Sequence, residues 1–227
     1  MLRRISWLSA IVLPCVLPLS AMAIEVNGSN LWFGGDSGVE VVWRTGNNMA
    51  YTEDDPKVDP RMTKHACGFD QALLKVGERA YLAYGWGLTS PMMMVGEDGV
   101  IIIDPPESVE AGRECLAAFR RVTDKPVKAI IYTHNHFDHV AGAKAFTTEE
   151  DVASGKVEIY AHETLVQGVI NWASTVGPIE GRRTSYTAAA FLSKGPDGSV
   201  HDALGPHAEV GTVSFIPPTR TFSDFPV

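Results

Sequence analysis

The sequence predicts an α/β fold, and three observations support this class. Short apolar stretches typical of strands alternate with an amphipathic stretch typical of a helix. A continuous apolar run at residues 127–133 indicates a strand buried within a sheet. A dense group of histidines follows that run directly. Because α/β folds collect their sites beyond the carboxyl ends of strands, the histidines stand where such a fold would hold one.

The composition is that of an acidic globular protein. The chain has 227 residues, of which 45% are hydrophobic, and its formal net charge is -8. The first 23 residues contain two arginines and no acidic residue, so the remainder carries -10. We therefore expect no nucleic-acid partner, because such a partner requires a basic face.

The first 23 residues predict a secretory signal peptide. Arg3 and Arg4 precede an apolar run, and the small residues of "AMA" precede Ile24. We expect cleavage after Ala23 and a periplasmic or secreted protein, with Sec and twin-arginine export both open. The run is short and no second stretch of about 18 apolar residues follows, so we expect no stable membrane anchor.

The next part of the chain predicts an irregular lead-in followed by strands. Residues 24–66 contain turn-forming stretches such as "GGDSG" and "TGNN" and are expected to be irregular. "ALLKVGERAYLAYGW" predicts two short strands around a turn, and "PMMMVGEDGVIIIDPP" predicts a hairpin. The strand-to-helix step recurs at "KVEIYAHETL", and "VAGAKAF" is expected to form a helix. From about Arg182 onward the pattern predicts loops.

The amphipathic helix is predicted within "ESVEAGRECLAAFRRV", ending near residues 124–126. Cys115 lies on it, where apolar residues recur with helical spacing. A buried thiol is the favoured interpretation for Cys115. A disulfide with Cys67 and a catalytic nucleophile are the alternatives.

The stretch "HNHFDH" predicts a metal centre. His134 and His136 stand at i and i+2 after a strand, so extended backbone points both side chains the same way and allows them to bind one cation. Asp138 and His139 follow the turn and would bind a second cation nearby, as in two-metal hydrolases. Imidazole and carboxylate ligands favour zinc, with manganese or iron as alternatives. We predict two zinc ions that activate water, and a catalytic role for Asp138 besides its role as ligand.

"HNHFDH" also matches the His-x-His-x-Asp-His signature of the metallo-β-lactamase superfamily, which this chain resembles. The resemblance implies an αββα sandwich, here incomplete at its C-terminus, with residues 67–227 as the N-terminal portion of a catalytic domain. It also implies that Asp104, at the end of "GVIIID", supports the metal ligands without binding the metal. "GRRTSYTAAAFLSKGPDGSV" and "IPPT" resemble the alkylsulfatase branch in particular.

Resemblance to that branch implies metal-dependent hydrolysis of alkyl sulfate esters to an alcohol and sulfate. It implies a small anionic substrate and, in the full-length family, a possible homodimer. Arg182 and Arg183 are candidates for binding the sulfate group, because an arginine fork matches its oxygens. A solvated pair is the alternative. Hydrolysis of a β-lactam or a thioester, and a fragment that binds metal without activity, are the competing functions.

Four further histidines are candidate ligands. The resemblance to the superfamily places a third metal histidine roughly at the positions of His201 and His207. The Gly-Pro-rich segment around them, however, resembles an alkylsulfatase loop that is not expected to bind metal, and this second interpretation is favoured. His162 follows a predicted strand, where a capping or packed histidine is the more common case. His65 lies two residues before Cys67, but a loop is favoured there over a metal pair because no further ligand is near in sequence.

Overall fold

The computed structural model describes most of the chain from residue 56 onward and parts of the segment before it. The described residues are 24–26, 29–31, 39–44, 56–189, 192–193, 195, 197–199, 201, 205–206 and 211–223. The predicted signal peptide lies outside them. None of the described helices has the length and apolar character needed to cross a bilayer.

Ten strands are described. They are β1 (Ile24–Val26), β2 (Ser29–Leu31), β3 (Glu40–Arg44), β4 (Ala72–Lys75), β5 (Ala80–Tyr84), β6 (Met92–Val95), β7 (Val100–Ile103), β8 (Val127–Ile131), β9 (Glu158–His162) and β10 (Arg220–Phe222). β1 and β2 pair with each other, and the remaining strands form one eight-stranded sheet in the order β10-β9-β8-β7-β6-β5-β4-β3.

The described residues form five α-helices. They are α1 (Pro60–Ala66), α2 (Val109–Phe119), α3 (Glu149–Ala153), α4 (Leu165–Asn171) and α5 (Gly177–Thr187), with a π-helix at Trp172–Val176 between the last two. Short 3-10 turns occur at Cys67–Phe69, Phe137–His139 and Ala143–Ala145.

The sheet changes character at β7. Strands β3 to β7 are antiparallel, and β7 to β10 are parallel. The two predicted hairpins are confirmed as β4–β5 and β6–β7. α2 connects β7 to β8, as parallel neighbours require a crossover connection. The α/β class is confirmed.

The core lies between α2 and the sheet. Phe119 of α2, Ile102 of β7 and Ile130 of β8 are fully buried. Cys115 is a free, fully buried thiol in the same cluster, and this confirms the favoured interpretation over a disulfide. Ser108 caps α2 by accepting a hydrogen bond from the backbone N–H of Ala111, a contact that stabilises a helix by about 1 kcal/mol.

Four local predictions are wrong. α2 ends at Phe119 rather than near residues 124–126. Residues 24–66 are not irregular throughout: β3 extends the main sheet beside β4, and α1 follows. "VAGAKAF" forms a single 3-10 turn at Ala143–Ala145 rather than a helix. The chain does not become loop-like at Arg182, because α5 continues to Thr187. The division of the chain at residue 67 stays a prediction.

The segment at 211–216 explains why no helix forms after the histidine motif. Ser214 N–H donates to the Ala141 carbonyl at 2.6 Å, and Ser214 Oγ accepts from Lys144 N–H at 3.1 Å. Gly142 lies between this segment and the loop before α2. A Cβ at Gly142 would lie 2.7 Å from the carbonyl oxygens of both Pro106 and Ser108. The Ala141 carbonyl and the Lys144 N–H, which would form hydrogen bonds within a helix, are therefore bonded to Ser214 instead.

Gly142→Ala should destabilise the protein by about 1–3 kcal/mol, because two backbone carbonyls must move to admit the methyl group. The free energy of unfolding, measured by urea titration, tests this. Gly181→Ala is the matched control, because a Cβ there meets no atom within 4 Å and α5 is helical. The control should be neutral or stabilising by up to about 1 kcal/mol. Equal stability of the two variants would contradict the packing described here.

Candidate metal centre

The histidine motif lies where the carboxyl ends of β7 and β8 meet. The two strands are parallel neighbours, with Ile103 opposite Ile131. Asp104 follows β7 directly, and the motif follows β8 within three residues. The chain then tightens into the 3-10 turn at Phe137–His139. The two strand ends therefore bring together residues that are about thirty positions apart in sequence.

Asp104 connects these strand ends. Its Oδ1 accepts from the backbone N–H of Thr133 at 2.8 Å, and its Oδ2 accepts from the Thr133 hydroxyl at 2.6 Å. The same Oδ2 lies 3.0 Å from Nδ1 of His139. Asp104 is 9% exposed and has a φ of 54°, in the left-handed region that aspartate tolerates better than most residues. Both carboxylate oxygens are thus committed to orienting the motif.

The four predicted ligands lie near one another, and two of them, His134 and His139, share with Asp104 a group of ligand-type atoms that all lie within 4.8 Å of one another. His136 and Asp138 are not in that group. The ring centroid of His134 lies 4.0 Å from that of His139 and 4.7 Å from that of His136. Asp138 Oδ2 lies 3.3 Å from Nε2 of His139. His136 is exposed and the other three are half-buried, so the cluster is open on one side.

Thr89 is a site residue that sequence analysis missed. It lies in the loop between β5 and β6 and is 4% exposed. Its hydroxyl donates to Asp138 Oδ2 at 3.2 Å and lies 3.0 Å from His139 Nε2. No sequence motif contains this threonine, which lies about fifty positions from the histidines. Only the tertiary structure therefore shows that it belongs to the site.

The residues between the ligands pack against helices. The ring of Phe137 meets that of Trp172 edge to face at 4.9 Å, at the start of the π-helix. Asn135 approaches Gly168 of α4 so closely that a Cβ there would lie 2.9 Å from Asn135 Cγ. π-helices occur often at functional sites. Asn135 and Phe137, which lie between the predicted ligands in sequence, are therefore held against the helices. The histidine rings lie next to one another instead.

The carboxylates around His139 raise its pKa. Burial is the largest single effect and lowers the pKa, but hydrogen bonds to Asp104 and Asp138 and the charges of both carboxylates outweigh it and raise the pKa to about 9. The pKa of His134 is lowered by burial and by the neighbouring rings of His139 and His136. At neutral pH His134 is therefore ready to bind a cation, whereas His139 must first lose a proton.

The donor set fits a divalent metal ion. Ligand-type atoms of Asp104, His134 and His139 all lie within 4.8 Å of one another. Imidazole nitrogens and carboxylate oxygens are zinc-type ligands at about 2.0–2.2 Å from the ion. Because Asp104 Oδ2 faces His139 Nδ1, the opposite nitrogen of that ring is the one available to a metal.

The other candidate residues from the sequence have different surroundings. Arg182 and Arg183 are exposed on α5. His162 contacts Thr164 Oγ1 and the Ser223 carbonyl, as expected of a capping or packed histidine. His201 contacts His65. His207 lies outside the described residues.

The fold and this site define the class of protein. The family model described as "Metallo-beta-lactamase superfamily" matches residues 84–219, a range that contains Asp104 and all four predicted ligands. The chain belongs to the metallo-beta-lactamase superfamily and to its alkylsulfatase branch.

The relatives that place it in this branch carry the name alkylsulfatase or alkyl/aryl-sulfatase. A linear primary-alkylsulfatase of a Pseudomonas species is 48% identical over 132 residues, covering 58% of this chain and 25% of that protein. An alkyl/aryl-sulfatase of Saccharomyces cerevisiae is 34% identical over 148 residues, covering 65% and 23%. The chain thus spans about a quarter of the length of these relatives.

A solved structure supports the fold. The stereoselective inverting sec-alkylsulfatase of a Pseudomonas species superposes with a TM-score of 0.66 at 23% identity, covering 74% of this chain and 27% of that one. The metallo-β-lactamase-type fold expected from the sequence is therefore confirmed. The described residues contain one large mixed sheet with its helices and the small β1–β2 sheet.

We expect pH to change stability and metal affinity in opposite directions above pH 7. The pKa of His139 is about 9 in the folded protein and about 6.5 when unfolded. Its protonated form therefore stabilises the metal-free fold fully below about pH 6.5, and this contribution is lost as the pH rises through about 9. Zinc affinity should rise over the same interval, because the metal replaces that proton. Urea unfolding with chelator and zinc competition titrations, both from pH 7 to 10, measure the two trends.

Asp104→Asn is the informative variant for this pH dependence. It removes the charge that helps to raise the pKa of His139, so both trends should flatten, and zinc affinity should fall about 10- to 100-fold. Asp124→Asn, in the turn after α2, should leave both trends unchanged. Steep trends that persist in Asp104→Asn would show that Asp104 does not control His139.

Proposed function

We propose that this chain carries the metal centre of a zinc-dependent hydrolase that cleaves alkyl sulfate esters. The observation that carries the proposal is the 48% identity to a linear primary-alkylsulfatase. It is supported by the cluster of imidazoles and carboxylates at the carboxyl ends of β7 and β8. Water would add to the ester, and the products would be an alcohol and sulfate.

His134, His136, Asp138 and His139 are the proposed ligands, and two zinc ions are the proposed complement. Bound zinc supplies a Lewis acid and lowers the pKa of water to about 7. The proton of His139 must leave before binding, and Asp104 then holds the ring in the orientation that presents Nε2. A periplasmic or secreted location remains part of the proposal, because the first 23 residues are predicted to form a secretory signal peptide.

Asp138 is the proposed catalytic carboxylate. Burial opposes its ionisation, but the hydrogen bond and charge of His139 lower its pKa, so it is ionised at neutral pH. Its Oδ2 is held by the Thr89 hydroxyl. Oδ1 would then accept the hydrogen bond of the attacking water and orient it toward the ester.

Arg182 and Arg183 are the proposed contacts of the sulfate group. The chain carries a net charge of -8, which repels an anionic ester at long range. Attraction must therefore come from positive groups close to the site. Both arginines are exposed on α5, which follows the π-helix whose Trp172 packs on the motif residue Phe137.

His136→Ala should lower sulfate release from dodecyl sulfate at least about 100-fold and reduce the zinc content per chain, because a ligand is lost. Ion chromatography of released sulfate and elemental analysis of purified protein measure the two quantities. His162→Ala is the matched control, because this histidine is engaged with Thr164 and Ser223 and should not change either quantity.

Three outcomes would count against the proposed function. Zinc binding with no sulfate release in the unaltered chain would favour a metal-binding unit without activity. Release of product from a β-lactam or a thioester, but not from dodecyl sulfate, would favour another hydrolase of the superfamily. Sulfate release that survives His136→Ala would exclude the proposed ligand set.

Arg183→Gln should raise KM for dodecyl sulfate about 10-fold with a smaller change in kcat, because a charge-assisted hydrogen bond to sulfate is worth roughly 1.5–3 kcal/mol. Arg182→Gln is tested in parallel. Arg113→Gln, also an exposed helical arginine, is the matched control for loss of one charge. Identical KM changes in all three variants would mean that only net charge matters.

A further inference from the structure

Two histidines far apart in sequence face each other outside the metal centre. His65, on α1, and His201, in the segment after α5, are separated by 136 positions. Nδ1 of His65 lies 3.1 Å from Nε2 of His201. The ring centroids are 4.7 Å apart and the rings are inclined at 50°. This pair shares no residue with the histidine motif.

The separation suits two ligands of one ion. Imidazole nitrogens bind zinc at about 2.0–2.1 Å, so two of them on one tetrahedral ion lie about 3 Å apart. A hydrogen bond between the rings would also give this distance, with one nitrogen donating to the other. Both arrangements are chemically sound, and they differ in whether a metal is taken up.

The surroundings hold the two rings in place. Phe69 meets the ring of His65 edge to face at 5.2 Å and that of His201 at 5.9 Å. Lys57 and Asp197 form an ion pair at 2.8 Å between the same two segments. Both histidines are half-buried, so solvent could supply further ligands on the open side. These contacts and the hydrogen bond between the rings hold the two histidines next to each other.

We propose that His65 and His201 bind one divalent ion of the zinc and copper class, separate from the metal centre at the histidine motif. Imidazole is a ligand that both of these metals favour. The ion would link His65 of α1 to His201, and the rings of both histidines also contact Phe69. The exposed ion pair of Lys57 and Asp197 joins parts of the chain that are near these two histidines in sequence. The proposal stands independently of sulfatase activity.

Zinc titration by calorimetry on the full chain tests this. His65→Ala and His201→Ala should each bind one ion fewer than the unaltered protein. The double variant should also bind only one ion fewer, because both histidines belong to the same site. His162→Ala is the control for removing a histidine elsewhere and should match the unaltered protein. His136→Ala should still bind the ion at His65 and His201. Equal stoichiometry in the unaltered protein and His65→Ala would overturn the proposal in favour of a hydrogen-bonded pair.

A second measurement needs no substitution and so does not depend on whether the variants fold. Diethyl pyrocarbonate modifies accessible imidazoles, and mass spectrometry locates each modified residue. With saturating zinc, modification of His65 and His201 should slow at least about tenfold relative to chelator, while His162 reacts at the same rate in both conditions. Unchanged rates at His65 and His201, with protection confined to the histidine motif, would rule the second site out.

Discussion

The candidate centre depends on one buried carboxylate. Asp104 ends β7 in a left-handed conformation and uses both oxygens to hold the chain that leaves β8. It also orients the ring of His139. A carboxylate that is largely removed from water must be compensated by hydrogen bonds, and here the compensation comes from the motif itself. Loss of this charge would disturb the strand junction and the ligand together.

The motif is held from two sides, and each side uses a different set of its residues. The sheet side supplies Asp104 and Thr89, which contact the ligands. The helical side supplies Gly168 and Trp172, which contact the residues between the ligands. This division keeps the ligand atoms on one face. Positioning of this kind limits the reorganisation needed when a metal binds, which favours affinity.

Local pattern in the sequence determined much of the fold. Alternation and turn residues give the hairpins β4–β5 and β6–β7, helical spacing gives α2, and the contiguous motif gives the cluster of imidazoles. These features depend on neighbours a few residues away, so they can be predicted without the rest of the chain. The burial of Cys115 followed from the same helical spacing.

Other features depend on contacts between residues that are far apart in sequence, and only the tertiary structure determined them. β3 is a strand because its backbone pairs with β4, although its flanks are rich in turn residues. Residues 143–145 stop at one turn because Ser214 bonds the backbone beside them. Thr89 reaches His139 across about fifty positions, and His65 meets His201 across 136. No local spacing encodes such meetings. The sequence by itself therefore determined which imidazole and carboxylate side chains are the candidate ligands, because they are contiguous in the chain. Only the packed sheet decided which other side chains surround them.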